Sequence, residues 1–422
     1  MVSFKNGFLK IKYEGDSKAR LYYEISFVAN MIALYIFHLV AGAGTVTCCA
    51  MFFTSVLIYA ERGKTRVVLP YNFIWYSILT AYVSLSNLWS SYVASGLLGD
   101  VMRFVIIILM ITSIAIYVDD VNDLERIMSL FIWSVFINVA LELIYTPVSR
   151  WFSGALGTNI SLFNANEIAF LAVCAELMAF YKAYLKGEKG YYVLTALFLF
   201  FAILTSSRKA TVAGVIGLVT IIGLSVYKKN YFLKLLVIIG VAIGIGYLIM
   251  TNESLYNSVG RRFTSMFNYF SDDTLKSDNS LVVRKYYIDI AESMFLDSPV
   301  VGQGMRNFYE TIVKQYGLGG AYVHNNYWQI LCEYGLIGFV IYYSFYVYII
   351  VKLIKRVVAE KNKIAIIFTV IMLMLVVLEW GVVTINTKTS QIVIAIAYTA
   401  TYAETTDTRK YSFIKNREKI GG

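Results

Sequence analysis

Apolar runs of about 18 or more residues recur along almost the whole chain, and each is long enough to cross a hydrocarbon core of ~30 Å. Inside a bilayer no water satisfies backbone N–H and C=O groups, so only helices and closed barrels can span it. Short alternating segments of the barrel kind are absent from the sequence. The chain therefore reads as all-α, a polytopic integral membrane protein. About 12 transmembrane helices and one large folded extracytoplasmic loop are expected. With 58% apolar and only 15% charged residues, an ordinary soluble globule is excluded.

The spans are expected at 21–40, 43–60, 70–88, 97–117, 125–145, 166–184, 191–206, 209–227, 231–250, 327–351, 364–384 and 388–404. Lys and Arg set their orientation. With both termini in the cytoplasm, the inner segments hold 25 cationic residues and the short outer loops hold four: Arg150, Arg208, Lys209 and Lys388. That bias is the positive-inside pattern. It also accounts for the net charge of +10 without a nucleic-acid partner, because these cations face anionic lipid. Residues 1–20 and 405–422 read as cytoplasmic tails, the first with no signal-peptide cleavage site. The domain plan is thus spans one to nine over 21–250, an outer cap loop over 251–326, and spans ten to twelve over 327–404.

The cap loop is too long to obey the charge rule and is rich in Tyr, Phe, Val and Ile, so it is expected to fold. Val283, Tyr287, Ile290 and Met294 mark one face of a helix, with Lys285, Asp289 and Glu292 opposite. Ser280 is placed to cap that helix, and Asp297-Ser298-Pro299 to end it. A second helix is expected from Met305 to Tyr316, ending at Gly317. Cys48, Cys49, Cys174 and Cys332 fall in spans without metal-ligand spacing and read as packing residues.

Three basic residues can meet at the outer surface. Arg208 lies in the turn Thr205-Ser206-Ser207-Arg208-Lys209, Arg284 in the first turn of the cap helix, and His324 just before span ten. Arginine presents a planar fork of donors that suits phosphate oxygens. A diphosphate leaving group needs such compensation as its bond to sugar breaks. A histidine at a helix head should have its pKa lowered by the dipole, which suits a neutral base, although the same helix end suits phosphate binding as well. Each residue also has a plainer reading: Arg208 snorkelling to headgroups, Arg284 solvated, His324 a capping or interfacial residue.

Other groups read as structural. His38 lies within span one. Asp100 and Arg103 can pair at i, i+3 on span four. Glu142, Glu167, Glu176 and Glu379 are span carboxylates that need a cavity or a partner. Glu167 is placed to line an outer cavity, and Glu176 lies deeper. Asp272-Asp273 reads as a solvated pair. Gly214, Gly217, Gly240 and Gly244 suit close helix packing. No Asp-x-Asp metal motif, Walker loop or nucleophile elbow is present.

Ser207-Arg208-Lys209-Ala210, then Arg284 with Ser298-Pro299-Val300-Val301-Gly302-Gln303-Gly304, then His324-Asn325-Asn326-Tyr327 with Glu333-Tyr334-Gly335-Leu336-Ile337-Gly338 follow one another along the chain. Together these resemble the motifs of the O-antigen ligase and Wzy-type polysaccharide polymerase superfamily, over residues about 205–340. The resemblance implies a bacterial cytoplasmic-membrane glycosyltransferase that uses undecaprenyl-diphosphate-linked glycans, with no metal and no other cofactor. It assigns catalytic roles to His324, Arg284 and Arg208. Arg208 and Arg284, joined by Lys209 and Asn325, would bind substrate. The preferred expectation is a polymerase of O-antigen or capsule repeat units, with a flippase and a chain-length regulator as partners beside the lipid bilayer. A ligase moving finished glycan to lipid A core or protein shares the chemistry. A flippase or transporter is the expectation from a different class, disfavoured by the single cap and the lack of an inverted repeat.

Overall fold

The computed structural model describes residues 2–5, 8–11, 17–35, 42–62, 69–92, 97–153, 156, 165–205, 207–225, 247, 251, 256 and 279–403. Apart from Tyr247, Thr251 and Tyr256, the ninth expected span and the first part of the cap lie outside these residues, as do His38, Asp272-Asp273, Gly240, Gly244 and the C-terminal tail. At the N-terminus, β1 (Val2–Lys5) and β2 (Phe8–Ile11) pair antiparallel, with Val2 opposite Ile11. The rest of the described chain is helical: α1 (Lys18–Tyr35), α2 (Ala43–Glu61), α3 (Tyr71–Leu85), α4 (Leu97–Tyr117), α5 (Val121–Tyr145), α6 (Ala165–Phe180), α7 (Tyr191–Leu204) and α8 (Arg208–Ser225). After the undescribed stretch come α9 (Asn279–Asp297), α10 (Asn307–Lys314), α11 (Asn326–Glu360), α12 (Lys363–Leu378) and α13 (Lys388–Thr399).

Eleven of the twelve expected spans therefore coincide with described helices, within a few residues at most ends. Five are long and apolar enough to cross a bilayer: Ala43–Glu61, Leu97–Tyr117, Val121–Tyr145, Ala165–Leu185 and Asn326–Glu360. Local chemistry sets several starts. Asp120 accepts the Asp123 N–H ahead of α5, and Asn362 accepts the Ile364 and Ala365 N–H groups ahead of α12. Pro70 precedes α3, where its missing N–H costs nothing. α6 is buried along nearly its whole length and packs against α5, α7, α8 and α12. The outward faces of the other helices carry Ile25, Phe53, Ile78, Val193, Val340 and Val347, all exposed. Apolar side chains facing outward suit hydrocarbon.

The two ends of the bundle differ. One end gathers Arg62 with Asp123, Arg126 with Glu24, Lys186 with Glu125 and Arg356 with Glu360. These cations all come from segments read as cytoplasmic. The other end gathers the heads of α2, α4, α6 and α13 with the cap segment.

The cap has its own small core. Ile290, Met294, Phe308, Ile312, Val323 and Cys332 are buried together, and Tyr287 packs against them. Two expectations are corrected here. Val283 is 46% exposed, because the buried face of α9 turns inward only from Tyr287 onward. α9 already includes Asn279, so Ser280 lies inside its first turn and not ahead of it. α10 ends three residues before Gly317, whose φ of 62° takes the left-handed turn that glycine permits.

The motif glycines make one joint. α11 is broken at Gly335, where φ is 62° and ψ is −166°. A broken helix frees backbone groups that need partners. The cap segment 299–304 supplies them: Gln303 N–H bonds Cys332 O at 2.9 Å, Gly304 N–H bonds Glu333 O at 2.8 Å, and Leu336 and Ile337 N–H groups bond Pro299 O and Val300 O at 2.9 and 3.1 Å. The Tyr82 hydroxyl on α3 donates to Tyr334 O at 2.9 Å and reaches Val301 O at 3.3 Å. α11 is thus two pieces. The later one, of about 25 residues, is roughly 37 Å long and suffices to cross the hydrocarbon core.

Candidate active site

His324 sits two residues ahead of α11, with φ 58°. A non-glycine residue in the left-handed region costs about 1–3 kcal/mol and needs surroundings that hold it. Asn325 is the helix cap: its side-chain oxygen accepts the Tyr327 and Trp328 N–H groups at 3.0 and 3.2 Å. It is fully buried, and its side-chain nitrogen has no hydrogen-bond partner among the described residues. Asn326 ties the helix head to the α12–α13 loop, accepting from Thr384 N–H at 2.9 Å and Ile385 N–H at 3.2 Å.

Aromatic rings cover the histidine. Tyr322 lies 4.0 Å from it between centroids, and Tyr287 on α9 stacks at 6.4 Å with planes 8° apart. Nδ1 is buried without a hydrogen-bond partner among the described residues. Burial, then the charges of Arg284 and Lys209, push its pKa down to about 4. The sequence expectation of a neutral imidazole agrees in direction but differs in cause. His324 precedes the cap residue, and the cover of tyrosines, not the helix dipole, dominates.

Arg284 lies one turn before Tyr287 on α9, and Lys209 in the first turn of α8; both charges act on His324. The Lys209 ammonium rests against Gly381, where a Cβ would stand 1.8 Å from Nζ. Arg208 opens α8, and its side chain lies outside the described residues. The preceding Ser207 hydroxyl donates to the Asn166 side-chain oxygen at 2.8 Å, tying the Ser-Arg-Lys turn to the head of α6. Replacing Lys209 with glutamine is expected to raise the His324 pKa above about 4, because one of the cations that lowers it is gone. An NMR titration of the imidazole, with only two histidines in the chain, checks this; an unchanged value would remove Lys209 from the site.

Beside this cluster lies a cavity of about 710 Å³, lined by Tyr322, Gly381 and Asn166 among others. It also receives residues the sequence reading left out of the site: Arg103, Arg306 and Lys388, with Tyr309 and Glu333. Asp100 and Arg103 do approach, at 3.9 Å, but Asp100 is bound more closely by Arg306 at 3.1 Å. Arg306 takes a left-handed φ of 62° and stacks over Tyr309 at 4.4 Å. Glu333 faces the backbone N–H groups of Arg306 and Phe308 at the head of α10. The only local hint of Arg306 was its place two residues after the Gly302-x-Gly304 run. Glu167 lines the cavity as expected, with one carboxylate oxygen lacking a partner among the described residues.

The remaining span carboxylates are buried inside the bundle. Glu142 accepts from Tyr35 at 3.1 Å, and Glu379 accepts from Tyr343, Tyr346 and Thr384. Both oxygens of Glu176 are buried against Gly214 without a hydrogen-bond partner among the described residues.

A family model described as O-antigen ligase matches residues 193–343. This match supports the O-antigen ligase and Wzy-type superfamily for that segment. It runs from α7 through the Ser-Arg-Lys turn and the cap into the broken helix, and so contains Arg208, Lys209, Arg284 and His324. Family members are glycosyltransferase-like enzymes that act on lipid-linked glycans. The apolar helices and the family together indicate a bacterial membrane protein. A comparison with curated proteins found no match.

Proposed function

We propose that the chain is a polysaccharide polymerase joining undecaprenyl-diphosphate-linked repeat units on the outer face of the cytoplasmic membrane. The observation that carries this is the meeting of His324 with the charges of Arg284 and Lys209 beside a large cavity that other cationic side chains also line. A sugar hydroxyl of one lipid-linked glycan attacks the anomeric carbon of another. His324 accepts the hydroxyl proton, and a base held neutral above about pH 4 is ready to do so. The bond from the anomeric carbon to the diphosphate oxygen breaks, and the leaving diphosphate departs with that electron pair. Arg284, Lys209 and Arg208 compensate its charge. One displacement inverts the anomeric centre. The bond energy is already stored in the donor, so neither metal nor nucleotide enters the scheme. Both termini are placed in the cytoplasm, and the cap outside, by the cation bias.

The ligase reading shares every residue, and the match to an O-antigen ligase family favours it. The glycan ladder separates the two. Arg284→Ala, inserted at normal level, is expected to leave single repeat units attached to the final acceptor if the chain polymerises. It leaves polymer unattached if the chain ligates. A full wild-type ladder on acceptor would refute both.

A further inference from the structure

Arg103 and Lys388 line the cavity but take no part in the transfer just described. They come from different helices, α4 and α13, and lie within electrostatic reach of each other. Two cations so placed repel unless an anion stands between them. Among the described carboxylates of the cavity, Glu167 forms no ion pair with either cation. Asp100 is committed to Arg306 at 3.1 Å and lies 3.9 Å from Arg103. Glu333 is 5% exposed and turned to the head of α10. Lys388 forms no ion pair among the described residues. Lys388 is also the first residue of α13, an end of the helix dipole that disfavours a cation and favours an anion. The N-cap Thr387 makes no side-chain capping bond there.

We infer that Arg103 and Lys388 form a second oxyanion subsite in the cavity, separate from the Arg284–Lys209–His324 cluster. Its ligand is an oxyanion carried by the second substrate, either a sugar carboxylate or that substrate's own diphosphate. Naming the second substrate rests on the transfer reading; the subsite itself does not. Reaction between two lipid-linked glycans brings two diphosphates to one enzyme, and a single cationic cluster compensates only the one that leaves.

The test is calorimetric titration of the full chain in nanodiscs with inorganic pyrophosphate and, separately, with glucuronate. Lys388→Gln and Arg103→Gln are each expected to weaken binding of one of these anions about tenfold or more, whereas Lys388→Arg keeps it within about threefold. Dependence on Lys388 for pyrophosphate assigns the subsite to a diphosphate; dependence for glucuronate assigns it to an acidic sugar. Anion binding is read without turnover, so loss of the transfer reading leaves this measurement standing. Equal binding of both anions by wild type, Lys388→Gln and Arg103→Gln overturns the subsite.

Discussion

Replacing His324 with asparagine is expected to lower glycan transfer by about 10²–10⁴-fold, the usual contribution of a positioned base, while the protein remains folded. Asparagine is the informative replacement because the position has φ 58°, and asparagine tolerates the left-handed region better than alanine. Loss of rate then reports lost proton transfer and not a collapsed turn. The pH profile gives a second readout. A base with a pKa of about 4 is deprotonated throughout the neutral range, so transfer should be flat there and fall only as pH approaches that value. An acid limb near the ordinary histidine value of about 6.5 would contradict the covered, cation-flanked setting. Arg284→Gln should move the limb upward, since that charge is the second cause of the lowered pKa. Stability follows with a definite sign. The folded pKa lies below the unfolded one, so the unfolded chain binds the extra proton between about pH 6.5 and 4. Folded stability should decline as pH falls through that window and should not change above it for this reason.

What the sequence disclosed follows from how local each signal is. Helices α1 to α8 and α11 to α13 are written in apolar run length, a property of neighbouring residues, and they stand where expected. Arg208 was legible because the short loops expected outside hold few cations, and Arg284 and His324 because they stand in the motifs that resemble the family's. The cover on His324 was not legible, because Tyr287 and Tyr322 reach it from separate parts of the cap. Lys388 and Arg103 read as a loop charge and half of a helical pair. Their approach depends on α13 packing against α4, which no spacing along the chain encodes. Asn325 is the N-cap of α11, a role its residue type suits, and its neighbours along the chain do not reveal which of its side-chain atoms are left unpartnered.

The glycines of the cap and of span ten show this limit most sharply, and they yield the other large effect. Gly335 sits in an apolar run where glycine would ordinarily mean close helix packing. Instead it breaks the helix, and Gly302 from the cap lies against the break. A Cβ on Gly302 would stand 2.4 Å from Glu333 C and Tyr334 N; one on Gly335 would stand 2.4 Å from Val300 O. All of these neighbours are backbone atoms, which cannot swing aside, and both glycines have φ above 60°. Overpacking costs about 1–3 kcal/mol and the left-handed conformation about 1–2 more, so Gly302→Ala or Gly335→Ala should each cost roughly 2–5 kcal/mol. Thermal unfolding of the purified protein should show a clear drop in midpoint for each. Gly99→Ala, in open space within α4, should be neutral or slightly stabilising and serves as the control. Because the two glycines press on the same contact, the double variant should cost less than the sum of the singles. Additive losses would mean that the cap and the broken helix do not share one joint. Coupling at this joint has a consequence for the site as well. The segment that mends the helix leads from Arg284 on α9 to Arg306 at the head of α10, and the helix it mends begins beside His324. The glycines thus hold in register the cap, which carries the arginines, and the helix head, which carries the proposed base.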